Sequence, residues 1–196
     1  MPRMAVLARH NVAGERTITD FERVDNDWYV EPMWVVRKLL AACHFEGEIH
    51  DPCCGQGTIP QAAHNAGYVA TGADIVDRGY APAKRLDFMT DPHVYDNIIF
   101  NPPYKFAEQF IHRAMIMVRG KIAVIVNIKF LASQGRYDRL FQQIPPAEVF
   151  ICSRRPSMPP GGGAVEAKGG TADYCWIVWD MGKRPRPETT QMKWLI

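Results

Sequence analysis

The sequence lacks any apolar run approaching the roughly 20 residues that a membrane-spanning helix needs, so no membrane role is expected. It has no signal-peptide core, because Arg9, His10 and Glu15 interrupt the N-terminal apolar residues. It has no CxxC pair, and its five cysteines are an odd number. That argues against a disulfide framework and for a reducing cytoplasm. Cys53 and Cys54 are adjacent, a poor spacing for metal ligands, so no metal site is expected. Neither sign of charge dominates. The formal net charge of +2 is too small to diagnose nucleic-acid binding. Internal repeats are absent. What remains is a chain of 196 residues, 47% hydrophobic, which can bury one good core as one domain.

The most informative stretch is Asn101-Pro102-Pro103-Tyr104. It follows Asn97 to Phe100, a short apolar run that reads as a buried strand. Two consecutive prolines cannot continue a central strand, because neither donates an N–H and each fixes its φ. A polar Asn and an aromatic Tyr are therefore held on a stiff turn at the carboxyl end of a strand, where open α/β sheets bind ligands. The turn offers a side-chain amide oxygen, the Pro102 carbonyl and a flat ring. These suit a planar group bearing an NH2, such as adenine. A proline-rich strand-to-helix turn without chemistry is the plainer alternative.

Fifty residues upstream stands Asp51-Pro52-Cys53-Cys54-Gly55-Gln56-Gly57-Thr58. A short strand candidate, Gly47 to His50, precedes it, and a short helix, Ile59 to Ala66, follows and ends at Gly67. Strand, glycine turn, helix opens a nucleotide-binding βαβ unit. Without Cβ atoms at Gly55 and Gly57, a ligand can lie against the backbone. The pattern is not GxGxxG, and no Lys follows it as in a P-loop, so a phosphate-bearing cofactor is not favoured. The Asp51 carboxylate suits a cationic or amine-bearing ligand.

The rest of the chain alternates. Pro32 opens an amphipathic helix through Ala42 with Val35, Val36, Leu39, Leu40 and Cys43 as its apolar stripe. Strands are expected near Ile49, Val69 to Asp74, Arg85 to Asp87, Asn97 to Phe100, Ile122 to Asn127, Glu148 to Cys152 and Tyr174 to Trp179. Between them, a helix presents Phe106, Phe110, Ala114, Met115 and Val118 on one face, read as core, and stops at Gly120. Alternating β and α implies a mainly parallel sheet with helices on both faces.

The two motifs in this order resemble the S-adenosylmethionine-dependent amino-methyltransferases, most closely the small DNA adenine-N6 methyltransferases. Their first motif is similar to D-P-C-C-G-x-G-T, and their catalytic motif is D/N-P-P-Y/F. The resemblance covers roughly Trp28 to Asp180. It implies the Rossmann-like class I methyltransferase fold, with a mostly parallel seven-stranded sheet and a C-terminal antiparallel hairpin. It also implies an N-terminal arm over 1–27, a catalytic domain over 28–180 and a tail over 181–196. The implied activity is methyl transfer to an exocyclic amine, adenine N6 in DNA, with S-adenosylmethionine as cofactor and nucleic acid as partner. The same NPPY motif occurs in enzymes that methylate protein glutamine amides or guanine N2, so those and RNA substrates stay open.

The resemblance also distributes roles. Asn101 and Pro102, with Pro103 and Tyr104, form the catalytic turn, and Tyr104 stacks on an extruded base. The cofactor site takes Asp51, Pro52, Cys53, Gly55, Gly57, Thr58 and Asn101, together with Asp74 and Ile75 at the end of the second strand. Asp74 accepts the ribose hydroxyls; Asp77 is the runner-up, more plainly a solvated loop acid. Asp87 accepts from the adenine N6, with Phe88 packing on the ring; Asp87 as a turn or helix cap is the alternative. Trp28, Tyr29 and Pro32 resemble an N-terminal cofactor motif that usually ends in T-P, with Glu31 here in place of the Thr. Trp28 and Tyr29 could equally be a satellite hydrophobic cluster. Neither Cys53 nor Cys54 is needed as a nucleophile. Finally, Ser153 to Asp173 is a long Pro- and Gly-rich loop. Its Arg154, Arg155 and Lys168 would clamp substrate phosphates, or the loop is a mobile hairpin connection.

Overall fold

The computed structural model describes residues 28–161, 170–183 and 188–196. The expected arm over 1–27 and Lys168 lie outside the described residues. Helix α1, Met33–Ala42, begins after Pro32, whose fixed φ suits a helix start, and buries Val35, Val36, Leu39 and Leu40 as expected. Strand β1 (Ile49–Asp51) leads through the glycine turn into α2 (Thr58–Asn65). Then come β2 (Ala70–Asp74), β3 (Lys84–Arg85) and β4 (Asn97–Phe100). Helix α3 (Ala107–Met117) leads to β5 (Lys121–Asn127), and β6 (Glu148–Cys152), β7 (Tyr174–Asp180) and β8 (Gln191–Leu195) complete the sheet.

The strand order is β3-β2-β1-β4-β5-β7-β6-β8. Neighbours from β3 to β5 are parallel, β7 is antiparallel to both β5 and β6, and β8 is parallel to β6. This is the expected mostly parallel α/β sheet with an antiparallel C-terminal pair, to which β8 adds an eighth strand. No helix of the described residues is long and apolar enough to cross a membrane.

The central strands are buried on both faces, and their side chains divide by twos. Ile99, Ala123 and Ile125 join α1 and α2 on one side, while Ile98, Phe100, Ile122 and Val124 join α3 on the other. The expected face of α3 holds in part: Ala114 and Val118 are buried and Phe110 and Met115 pack against the core, but Phe106 is 54% exposed. Ala107, Ile111 and Met117 are buried beside them, so the packed stripe is wider than the one expected.

Asn97 fixes the register of the strand that carries the Asn-Pro-Pro-Tyr turn. Its buried amide Nδ2 donates to the carbonyls of Glu46 (2.5 Å) and Glu48 (3.2 Å), and its Oδ1 accepts from the Lys121 N–H at 2.8 Å. One side chain thus ties β4 to the approach to β1 and to the start of β5. Ile49 then stands beside Asn97, and Ile98 beside Ile122.

Candidate active site

From β1 the chain moves outward to β2 and then returns to place β4 on the other side of β1. At such a reversal the carboxyl ends of adjacent strands open a crevice. A cavity of about 460 Å³ lies there, within the size range of small-molecule sites. Both motifs reach it: Pro52, Cys53, Gly55 and Thr58 from the first, and Asn101, Pro102 and Pro103 from the second. Asp74, Ile75, Asp87 and Phe88 complete the expected set on the wall, with Trp28 and Tyr29.

The glycine turn is held by backbone bonds that a regular loop would lack. Gly57 N donates to the Cys54 carbonyl at 2.7 Å, and Cys54 N to that of Ala73 at 2.9 Å. Gly57 has φ +82°, and a Cβ there would overlap the Tyr80 ring. Gly55 has φ +51°, and a Cβ would come within 2.7 Å of the Trp28 indole nitrogen. Both positions therefore need glycine, for conformation and for space. Asp51 lies behind the turn rather than on the cavity wall, 1% exposed, and its Oδ1 accepts from Cys53 N at 3.1 Å. Burial, with Glu31 nearby, holds its carboxyl well above the usual carboxylate range.

Asp74 is 8% exposed and oriented by two backbone donors. Gly55 N reaches its Oδ2 and Val76 N its Oδ1, both at 3.0 Å. Each oxygen retains a lone pair for a further donor. Asp77 instead closes its own turn, accepting from Gly79 N at 2.9 Å, and stays off the wall. Asp87 accepts from Met89 N at 2.9 Å, so the turn-capping bond exists, and the residue also lines the cavity.

Asn101 is anchored from behind. Its Nδ2 donates to the Tyr29 carbonyl at 2.8 Å and to Glu31 Oε2 at 2.9 Å. Two acceptors fix the amide's orientation, so Oδ1 is its remaining acceptor. The Asn101 carbonyl accepts from the Cys53 thiol at 3.3 Å. Burial pushes that thiol well above its ordinary pKa, which suits a neutral donor and not a nucleophile. Glu31 is 7% exposed, and burial raises its carboxyl to about 7 against the pull of the Asn101 bond.

Three cavity features were not assigned from the sequence. Glu31 registered there only as a departure from T-P. Arg78 lines the wall with its guanidinium 4.1 Å from the Trp28 ring centre. Phe106 and Phe110, read as core, also line the cavity. Other expected residues lie off the wall. Pro32 and Gly57 are adjacent to it without lining it. Tyr104 stacks on Tyr29, ring centres 5.3 Å apart, and its hydroxyl meets that of Tyr174 at 3.1 Å. Arg154 sits over Trp34, and Arg155 pairs with Asp173 at 2.7 Å, both exposed. Above the cavity, Val30 N donates to the Pro159 carbonyl at 2.9 Å and Gly161 N to that of Trp28 at 3.0 Å.

No family model matches the chain, and no curated protein does. Solved structures do resemble it in fold. A protein from Vibrio vulnificus YJ016, provisionally assigned as a modification subunit of a type I restriction enzyme, superposes with a TM-score of 0.61 at 14% identity, over 85% of this chain and 50% of that one. The methyltransferase subunit of a type I restriction-modification system from Streptococcus thermophilus gives 0.58 at 12% identity, over 81% and 46%. The type I restriction enzyme EcoKI M protein gives 0.57 at 11% identity, over 82% and 45%. The chain thus spans about half the length of these proteins. The likeness is one of architecture: the mostly parallel sheet with antiparallel C-terminal strands is the class I methyltransferase fold.

Proposed function

We propose that the chain is an S-adenosylmethionine-dependent methyltransferase acting on an exocyclic amine, adenine N6 in DNA. The observation that carries this is the Asn101 amide, whose NH2 is tied to Tyr29 and Glu31 so that Oδ1 is left to accept. The residues present fit the cofactor. Gly55 and Gly57 keep the turn bare, Asp74 presents an oriented carboxylate, and Asp87 and Phe88 stand at the third strand's end. When bound, S-adenosylmethionine supplies a methyl group already activated on a sulfonium.

The chain's own task is to make a weak nucleophile reactive. The lone pair of a ring-conjugated amine is delocalised. Asn101 Oδ1 and the Pro102 carbonyl accept its two N–H groups and favour the pyramidal form, whose lone pair can attack. The same dipoles stabilise the positive charge that develops on nitrogen. The amine nitrogen would form its bond to the methyl carbon as the sulfur–methyl bond breaks with its electron pair left on sulfur, and the nitrogen would release one proton to water. Rigid prolines hold both acceptors in line, which is mostly a matter of positioning. Tyr104 takes the extruded base on its ring, and Arg154, Arg155 and Lys168 meet phosphates.

The test is incubation with labelled cofactor and separate DNA, RNA and protein acceptors, followed by mass spectrometry of nucleosides and peptides. N6-methyladenine from DNA is expected. Label found only on a protein glutamine, on RNA, or on guanine N2 would transfer the same chemistry to that substrate and refute the DNA assignment.

A further inference from the structure

We infer that Glu31 is a positioning residue for the Asn101 amide and that its ionised form sets the acceptor used for the amine. The inference rests on the function proposed above. Three observations converge on it. Glu31 is buried, lines the cavity and lies 2.9 Å from Asn101 Nδ2. It shares that NH2 with the Tyr29 carbonyl, so two residues of the segment just before α1 hold one side of the amide. The facing groups are acids and thiols: Asp51 on β1, and Cys53 and Cys54 on the glycine turn. Asp51, Cys53 and Cys54 are themselves shifted toward their neutral forms.

The chemistry follows from what a carboxyl can do in each state. Ionised, Glu31 only accepts, so it requires the NH2 of Asn101 to face inward and Oδ1 outward. A charge-assisted bond on the NH2 also polarises the amide and enriches Oδ1. Protonated, Glu31 keeps an acceptor oxygen but loses its charge, so the Tyr29 carbonyl still orients the amide while the polarisation of Oδ1 weakens. Burial places this change near 7 in the free protein. A sulfonium in the cavity favours the carboxylate and moves the change lower.

The side-chain amide resonances of Asn101, identified by their loss in Asn101→Ala, provide a test that does not need turnover. In the wild-type chain they should shift with pH, with a midpoint near 7. In Glu31→Gln they should stay flat, because Gln accepts through Oε1 without titrating. Amide signals of Asn101 that ignore pH in the wild-type chain would overturn the inference. Turnover gives the second arm. The wild type should lose kcat on the acid side. Glu31→Gln should lack that limb and run about 3- to 10-fold below the wild-type plateau, as a neutral bond replaces a charged one. Its cofactor Kd should rise only by the factor that matches the cofactor's own downward pull on the wild-type midpoint, about tenfold per pH unit, because the two equilibria are linked. An unchanged acid limb in Glu31→Gln, or a lost cofactor affinity with kcat intact, would overturn the positioning role. A wild-type chain that methylates no acceptor would refute the functional proposal instead, and the Asn101 resonances would still decide the coupling.

Discussion

Replacing Asn101 by Ala separates the three jobs of one side chain. The substitution removes a free acceptor and two bonds, to Tyr29 O at 2.8 Å and to Glu31 Oε2 at 2.9 Å. Loss of one acceptor used in the transition state corresponds to about 10²-fold in kcat, or about 2.7 kcal/mol. Loss of the two anchoring bonds falls on stability. The Tyr29 carbonyl and Glu31 are left without this donor, at a cost of about 1–3 kcal/mol. Glu31 limits that cost by taking a proton, since burial already brings its carboxyl to about 7. The cofactor wall built by Gly55, Asp74 and Asp87 is untouched. Calorimetry should therefore show a nearly unchanged Kd, thermal denaturation a modestly lower Tm, and single-turnover transfer a fall of at least about 10²-fold. Near-normal transfer would remove the Asn-Pro-Pro-Tyr turn from catalysis. A loss of cofactor affinity equal to the loss of rate would reduce Asn101 to a binding residue.

Asp74→Ala should weaken cofactor binding by roughly 1.5–3 kcal/mol, because a shielded, oriented carboxylate is lost. Asp77→Ala should not, and the reverse pattern by calorimetry would reassign the ribose contact. Gly57→Ala should lower stability by more than Gly67→Ala. Both have positive φ, +82° and +89°, but only the first would meet a ring, that of Tyr80. Strain alone costs about 1–2 kcal/mol, and equal losses in thermal denaturation would dismiss the Tyr80 contact. Glu31 also predicts a stability profile. Its carboxyl is near 7 folded against an ordinary 4.5, so the folded chain holds a proton that the unfolded chain releases. Stability contributed there falls as pH rises from about 4.5 to 7, and Glu31→Gln removes the fall. The Tm advantage of the variant should grow across that window, and a constant difference would contradict the burial argument.

Much of this architecture was legible because local chemistry and packing agreed. Asn97–Phe100 and Glu148–Cys152 are strands with the expected bounds, and Pro32 starts its helix. The glycine turn and the double proline could be placed because each forces a backbone that few residues allow. Gln191–Leu195 was not legible as a strand. It follows a basic, Pro-rich stretch and buries only Leu195, so it carries no alternating apolar signal. Phe106 was misread as core because a cavity wall of aromatics has the same helical spacing as a packed face, while Phe110 serves both, packing on the core and lining the cavity. Glu31 could not be read as a partner of Asn101, since seventy positions separate them and only the fold brings them together. Its one signal was an acid standing before Pro32 in place of a hydroxyl.

The rung at Asn97 has a consequence for how such a chain can change over generations. Whatever happens to the length of the crossovers after Asp74 or around Pro92, the path must come back to the same three-strand fastening before it reaches Asn101. Insertions and deletions there alter the rim and leave the spacing between the glycine turn and the proline turn as it was. A shift of one residue at Asn97 itself would turn every following side chain to the opposite face of the sheet. The rim of the cavity is thus free to drift, while the gap between the two turns is inherited as a fixed unit.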